Sequence, residues 1–469
     1  MKLLTSCIAA VAVSAAAAGP LTPPAGPVSP TGKTTDQIEP RTPIDPSQLP
    51  IVIAQSGSYY LTGPYNYNGP ADGHAITITT SAVTIDLNGF RLNGNSGASH
   101  AIEVGEAVSY SDIRIRNGTI ASWGGSAVSA VNDEQIILEA LYAVSNGTAQ
   151  SSPAFEIGSF SVIRDCHVDN HVGTAIRLAE SSLVDGCTVK NPQAGGIRMA
   201  SGNIVRNTLI SGTDTDAING MSGNLISSCT ITAPLGDGID LDNNNRIENC
   251  TVRSSGSAGI LVLNTNSISG CTVSDSFIGI QGSGENSVLN CSINNAGNDG
   301  ITLTDAASVV NCSVSNAAVD GISVTQGVVR SSSVTECGRY GILASFGTLI
   351  DGNAARRNTR AGIRVFRRCR IVNNVCEENV NSAAGSDITL QGYGILASSS
   401  TNHVESNTAA LNDVGFRIES LGNVVVKNTA IENFNINYSF LNSTSHSFGP
   451  IVTGPGQITT TSPYANFSF

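Results

Sequence analysis

One pair of residues, a small one followed by an apolar one, returns along this chain at an almost constant interval. The apolar member falls at Ile76, Ile102, Val128, Phe155, Ile176, Ile197, Ile218, Ile239, Ile260, Ile280, Ile301, Ile322, Ile342, Ile363, Ile395 and Phe416. Every step from Phe155 to Ile363 is 20 or 21 residues. Self-similarity at a fixed period of this size restricts the chain to a solenoid, in which each repeat buries its apolar face only by stacking on its neighbours. The preceding residue is Ala or Gly in all sixteen copies, from Ala75 to Gly415. A column that admits only the two smallest side chains predicts a crowded bend or a close backbone approach.

A leucine-rich repeat has a similar period, but its Leu-x-x-Leu-x-Leu spacing is missing and no segment sustains a 3.6-residue periodicity. Val, Ile and Thr instead alternate with polar residues in runs of three to five, separated by Asn, Gly, Ser and Asp. That pattern predicts short strands and tight turns. Three short strands per ~21-residue coil give an all-β fold, a right-handed parallel β-helix solenoid. Sixteen such coils form a rod on the order of 75 Å long. A second column aligns with Cys250: Cys166, Cys187, Asn207, Cys229, Cys271, Cys291, Cys312, Ser332, Asn353, Asn374, Asn407 and Asn428. The residue before it is mostly Asn, Gly, Asp or Ser, types that tolerate a left-handed backbone, so a bend is expected immediately before this column. Stacked Asn amides can bond along the coil axis.

The uniform repeat argues for one long domain. Residues 1–18 read as a secretory signal, with Lys2, an apolar core and the run Ala15–Ala18 for cleavage. Residues 19–50 are proline-rich and read as a linker. The β-helix with its N-terminal cap is assigned to 51–433 and a C-terminal cap to 434–469. The step from Ile363 to Ile395 is 32 residues, which places an inserted loop within Glu377–Gly392. Trp123, the only tryptophan, is expected to pack beneath one of the longer early turns, with sugar stacking as the alternative. No later stretch approaches the ~18 consecutive apolar residues of a transmembrane helix. With 13% charged residues and a net charge of −12, the chain is not built for general nucleic-acid binding.

Ten cysteines follow the signal segment. In-register neighbours on adjacent coils hold their Cβ atoms near the ~4.8 Å strand spacing, wider than the ~3.8 Å of a disulfide, which predicts free buried thiols for the seven column members. Cys369 and Cys376 lie off the column and could pair. The six histidines show no ligand spacing, and no metal centre is assigned.

These coils resemble the pectate-lyase-like superfamily of right-handed β-helix proteins over about residues 75–433. That resemblance implies an extended glycan bound along one face and a polysaccharide lyase or glycoside hydrolase activity. Asp237-Gly238-Ile239-Asp240 is similar to the tail of the Asn-Thr-Asp-Gly-Ile-Asp segment of polygalacturonase-like hydrolases; Leu235-Gly236 stands in place of Asn-Thr, and the acidic pair of the next coil is Ser257-Ala258. Asp216, Asp237, Asp299 and Asp320 share one outward column, and Arg177, Arg198, Asn219 and Asp240 another. Stacked carboxylates ~5 Å apart repel, which raises one pKa or recruits Ca²⁺; no other cofactor is expected. Asp237, Asp240, Asp216 and Arg198 are therefore the candidate catalytic residues, against the alternative that the acids cap turns. A second cluster, Arg356, Arg357, Arg360, Arg364, Arg367, Arg368 and Arg370, packs seven arginines into fifteen residues. Arg356, Arg357, Arg360 and Arg364, with Tyr393, are the candidate ligand-binding residues for a carboxylated or sulfated glycan; the alternative pairs them with Glu377, Glu378 and Asp387. The expectation is a secreted or cell-surface monomer that binds polysaccharide along its side, with a non-catalytic adhesive rod as the competing class.

Overall fold

Each 21-residue coil makes three strands because it contains three short apolar-polar alternations separated by residues that can turn. In a computed structural model, which describes residues 40–105, 108–149, 152–383, 391–441, 443–454 and 456–469, a representative coil runs Ile239–Leu241, Arg246–Glu248 and Thr251–Arg253. All three pair in parallel with their counterparts one coil on: Ile239 with Ile260, Ile247 with Ile268, Val252 with Val273. The strands bearing the repeated apolar marker, called the GI strands below, form one sheet of eighteen strands among the described residues. That is two more than the sixteen expected coils. Ile51–Ile53 and Ile436–Phe440 extend the sheet at its two ends without carrying the small-apolar marker. The second and third strands of the coils make two further ladders, merged by Ser111–Ala121 and Glu134–Val144, each long enough to span both.

The proposed signal, residues 1–18, and most of the proposed linker lie outside the described residues. Within that linker Thr42–Ile44 already pairs with Tyr59–Leu61.

The apolar positions predicted to face inward do so. Ile218, Ile239, Ile260 and Ile301 are fully buried, as are Ile226, Ile247, Ile268 and Val288 on the second strand. The small residue before the marker is explained by space. A Cβ on Gly238 would lie 2.4 Å from Val252 Cγ1 and 2.5 Å from the Gly259 carbonyl oxygen. The bend before the Cys/Asn column is left-handed as expected: Asp165, Ser228, Asn249, Asn290, Asn311 and Asn373 have φ between 53° and 57°.

Asn207 does not belong to that column. It sits at the left-handed bend with φ 52°, and Thr208 occupies the ladder position. Adjacent Asn-Thr made the one-residue shift invisible in sequence. The ladder amides bond along the axis: the Asn374 N–H and its Nδ2 both donate to Asn407 Oδ1 at 2.9 Å, and Asn407 donates likewise to Asn428 Oδ1 at 3.0 Å. Two more such ladders run at the other corners, Asn203–Asn224–Asn245–Asn266–Asn286 and Asn358–Asn379–Asn412–Asn433.

All ten described cysteines are buried and free. Cys369 and Cys376 do not pair. Cys369 occupies a corner-ladder position, donating its N–H to Asn402 Oδ1 at 2.9 Å, whereas Cys376 fills an inward position of a third strand, paired with Ala355 and Ala409. Trp123 is 1% exposed, donates its indole N–H to the Leu92 carbonyl at 3.2 Å and lies 5.0 Å from the Tyr67 ring, so it packs and offers no sugar platform.

Two outcomes are expected. Ellman's reagent should leave the thiols unreacted in the native protein and titrate all of them after denaturation; rapid labelling of the native state would contradict a sealed core. Asn407→Ala, which strands buried ladder donors and acceptors, should lower the unfolding free energy by about 1–3 kcal/mol. Arg206→Ala, on the solvent side of a coil, should lower it far less, as read from urea midpoints.

Candidate functional site

A three-residue GI strand turns its middle residue outward between two core positions. Stacking these residues in register yields one continuous column: Glu156, Arg177, Arg198, Asn219, Asp240, then onward to Leu343, Arg364, Leu396 and Arg417. At its N-terminal part Arg177 pairs with Glu156 at 2.8 Å, and Asn219 donates through Nδ2 to Asp240 Oδ2 at 2.8 Å. Arg198 stands between these pairs, exposed and without a hydrogen-bond or ion-pair partner among the described residues. Arg177, Arg198, Asn219, Thr215 and Asp216 border an open groove of about 490 Å³ floored by Ile197 and Gly195.

The neighbouring column holds Asp216 and Asp237, and there each acid caps the backbone of the following coil. Asp216 Oδ1 accepts the Asp237 N–H at 2.8 Å, and Asp237 Oδ1 accepts the Ala258 N–H at 2.7 Å. Asp299 and Asp320 repeat the arrangement. Asp240 caps nothing. Burial, followed by the charges of Asp216 and Asp237, pushes its carboxyl up to about 6, against the Asn219 hydrogen bond that favours the ionised form. Asp216 is also raised, chiefly by burial. An acid with a raised carboxyl, bonded to the groove residue Asn219 near an exposed guanidinium, can donate a proton to a bound oxygen.

The arginine run does not form one patch. Fifteen residues wind around most of a coil, so neighbours in sequence emerge on different sides. Arg356 and Arg357 lie on or just after a third strand and pair with Glu377 at 3.1 Å and Glu336 at 3.3 Å. Arg370 lies on a second strand, 3.7 Å from Glu405. Arg367 stacks over Phe346 in the intervening turn. Only Arg360 and Arg364 reach the GI face, where with Tyr393 they line a pocket of about 150 Å³. Asp387 lies outside the described residues.

Sequence reasoning missed the other members of that pocket: Tyr340, Gln391, Leu396 and Glu419. Arg364 Nη1 donates to the Tyr340 hydroxyl and its Nε to Ser398 Oγ at 3.3 Å, with its guanidinium over the Tyr340 and Phe366 rings. Arg339, joined to the buried Asp320 by two hydrogen bonds, stacks over Tyr340 as well. The signal was available in the register: extending the outward column past the 32-residue step reaches Arg417, with Glu419 two residues on. Among the described residues, no group of three or more His, Cys, Asp or Glu side chains is placed to hold a metal ion. None of their helices is long and apolar enough to cross a membrane.

A family model described as a right handed beta helix region matches residues 154–288, 217–348 and 276–389. No curated protein matches the chain. Among solved structures it is similar to a mannuronic-acid-specific polysaccharide family 6 lyase from human gut microbiota, at 10% identity over 74% of this chain and 89% of that one, with a TM-score of 0.41. It is also similar to the catalytic unit of a GH87 α-1,3-glucanase from Streptomyces thermodiastaticus strain HF3-3, at 12% identity over 74% and 63%, TM-score 0.37. A third is tailspike protein 3 of bacteriophage CBA120, at 11% identity over 83% and 56%, TM-score 0.33.

The raised Asp240 carboxyl fixes the sign of a pH effect. An unfolded aspartate titrates near ~4 and this one near about 6, so the native state holds the extra proton between those values, and stability falls as pH rises through that window. Asp240→Asn removes the Asp240 share of that slope. Its urea midpoint should match the parent below about pH 4 and exceed it above about pH 6.

Proposed function

This chain belongs to the right-handed β-helix family, and on that premise we propose that it is an exported protein that binds an acidic polysaccharide along its GI face, with Asp240 as the acid of a lyase or hydrolase step. The observation that carries the reading is the exposed Arg198 guanidinium, whose side chain has no partner among the described residues, on a groove lined by Asn219, to which Asp240, its carboxyl pushed up to about 6, is hydrogen-bonded. A guanidinium without a protein partner can give two parallel N–H donors to a sugar carboxylate. The Asn219 amide and the Thr215 hydroxyl offer further bonds to ring hydroxyls. After burial, Asp216 and Asp237 add to what raises the Asp240 carboxyl, and they are not the proton donors, because each has one oxygen committed to a backbone N–H.

A second reading, a non-catalytic surface rod, is favoured by the same caps. Acids at these positions recur at Asp299 and Asp320 as a device that closes the turn.

Titration of the mature protein with polygalacturonate, alginate and a neutral glucan separates the readings. The carboxylated polymers should bind and the neutral one should not. Arg198→Ala should weaken binding about 10- to 100-fold, the loss of one charge-assisted contact. Asp240→Asn should bind as the parent does but release no product. Equal binding of the neutral glucan would sink the acidic-polysaccharide reading, and binding by the parent with no product would leave the rod.

A further inference from the structure

We propose that the groove at Arg198 and the pocket at Arg360 are two sites for one polymer, so that the protein grips a long acidic polysaccharide at two fixed points and discriminates against short ones. This rests on the groove being an acidic-glycan site.

Arg198 and Arg364 belong to the same outward column, linked by unbroken register. Eight rungs at ~4.8 Å place them roughly 40 Å apart on one face. Beyond Asp240 the column between them is uncharged: Leu261, Gln281, Thr302, Ser323 and Leu343. Of the acids beside it, Asp299 accepts from the Thr302 hydroxyl at 2.9 Å and the Asp320 N–H at 3.0 Å, and Asp320 is bonded to Arg339. A chain of acidic sugars laid along this floor finds an unpaired guanidinium at each end and few charges along its middle; the Asp216, Asp237 and Asp240 carboxyl groups lie beside the first.

The two ends differ in capacity. The groove, at about 490 Å³, lies within the usual range of ligand cavities, ~300–1,000 Å³, and the pocket, at about 150 Å³, lies below it. The first suits a run of sugars, the second a single residue. The pocket's chemistry fits a ring that carries one carboxylate among hydroxyls. Arg360 is exposed and has no partner among the described residues, so its guanidinium is available to the carboxylate. Arg364 is immobilised by Tyr340, Ser398 and Phe366 and serves as a fixed positive wall. Glu419 faces the hydroxyls, and the buried Leu396 gives the ring an apolar surface. Because the solenoid is a continuous ladder, the spacing of the two sites is set, and engagement of the second becomes intramolecular once the first is filled. Joining two sites in this way raises overall affinity on the order of 10²- to 10⁴-fold without any new contact, provided the ligand spans the distance.

Calorimetric titration with short and long fractions of oligogalacturonate tests this, using the full protein, Arg360→Ala and Arg198→Ala. Long fractions should bind the parent at least about 100-fold more tightly than short ones. Arg360→Ala should bring the long fractions down to the short-fraction affinity and leave the short fractions unchanged. Arg198→Ala should weaken short-fraction binding about 10- to 100-fold. If Arg360→Ala keeps the long-chain advantage, or the parent shows none while Arg198→Ala still loses binding, the two-point grip is wrong and the groove stands. If Arg198→Ala binds short fractions as the parent does, the groove reading itself falls.

Discussion

Everything in this molecule depends on the backbone ladder between successive coils. Each strand is about three residues long and could not persist alone, yet each is bonded to an equivalent strand above and below, so that Ile218, Ile239 and Ile260 superpose. A parallel ladder tolerates no drift: a slip of one residue would turn an entire column from core to solvent. The near-constant 20- or 21-residue period is the chemical expression of that requirement. Insertions survive only where they can loop out between strands, as between Val375–Glu377 and Tyr393–Ala397, where the Asn381 and Gly392 amides are both tied to Asp413 Oδ2.

The corners solve the problem that the ladder creates. Turning the chain every few residues exposes backbone groups that the sheets cannot satisfy. Left-handed residues make the turn, and inward amides or thiols follow them. Where the corner residue is Asn, its side chain bridges to the next coil and back to a carbonyl, as Asn374 does with Asn407 Oδ1 and the Ile350 carbonyl. Where it is Cys, the position is filled by a small apolar group with weak bonds, such as Cys187 Sγ to the Asp185 carbonyl at 3.5 Å. The same column thus passes from thiols to amides along the rod, with the packing requirement unchanged.

The regularity that builds the core also builds the outer face. Any residue type placed once per coil becomes a row, and a charged row is either costly or useful. Most charged rungs here are neutralised: Arg206 by Asp185, Arg330 by Asp351, Arg356 by Glu377. On the GI face the Arg198 and Arg360 side chains have no partner among the described residues, and Asp240 is raised by burial and then by the acids beside it.

Sequence by itself determined the period, the three-strand coil, the bends before the Cys/Asn column and the burial of the thiols, because each is a local requirement repeated many times and visible as a column. It also placed Asp216, Asp237, Asp240 and Arg198 together, since they share a column or adjoin one. It could not decide which acids were committed to capping, because that turns on hydrogen bonds between coils 21 residues apart in the chain. It misjudged the arginine run for a related reason. Arg356 and Arg364 are close in the chain but lie on different sides of a coil, while Arg364 and Tyr340, more than one repeat apart, touch. In a solenoid, proximity along the chain carries residues around the perimeter and proximity across the repeat brings them together, and only the wound structure fixes which of the two applies.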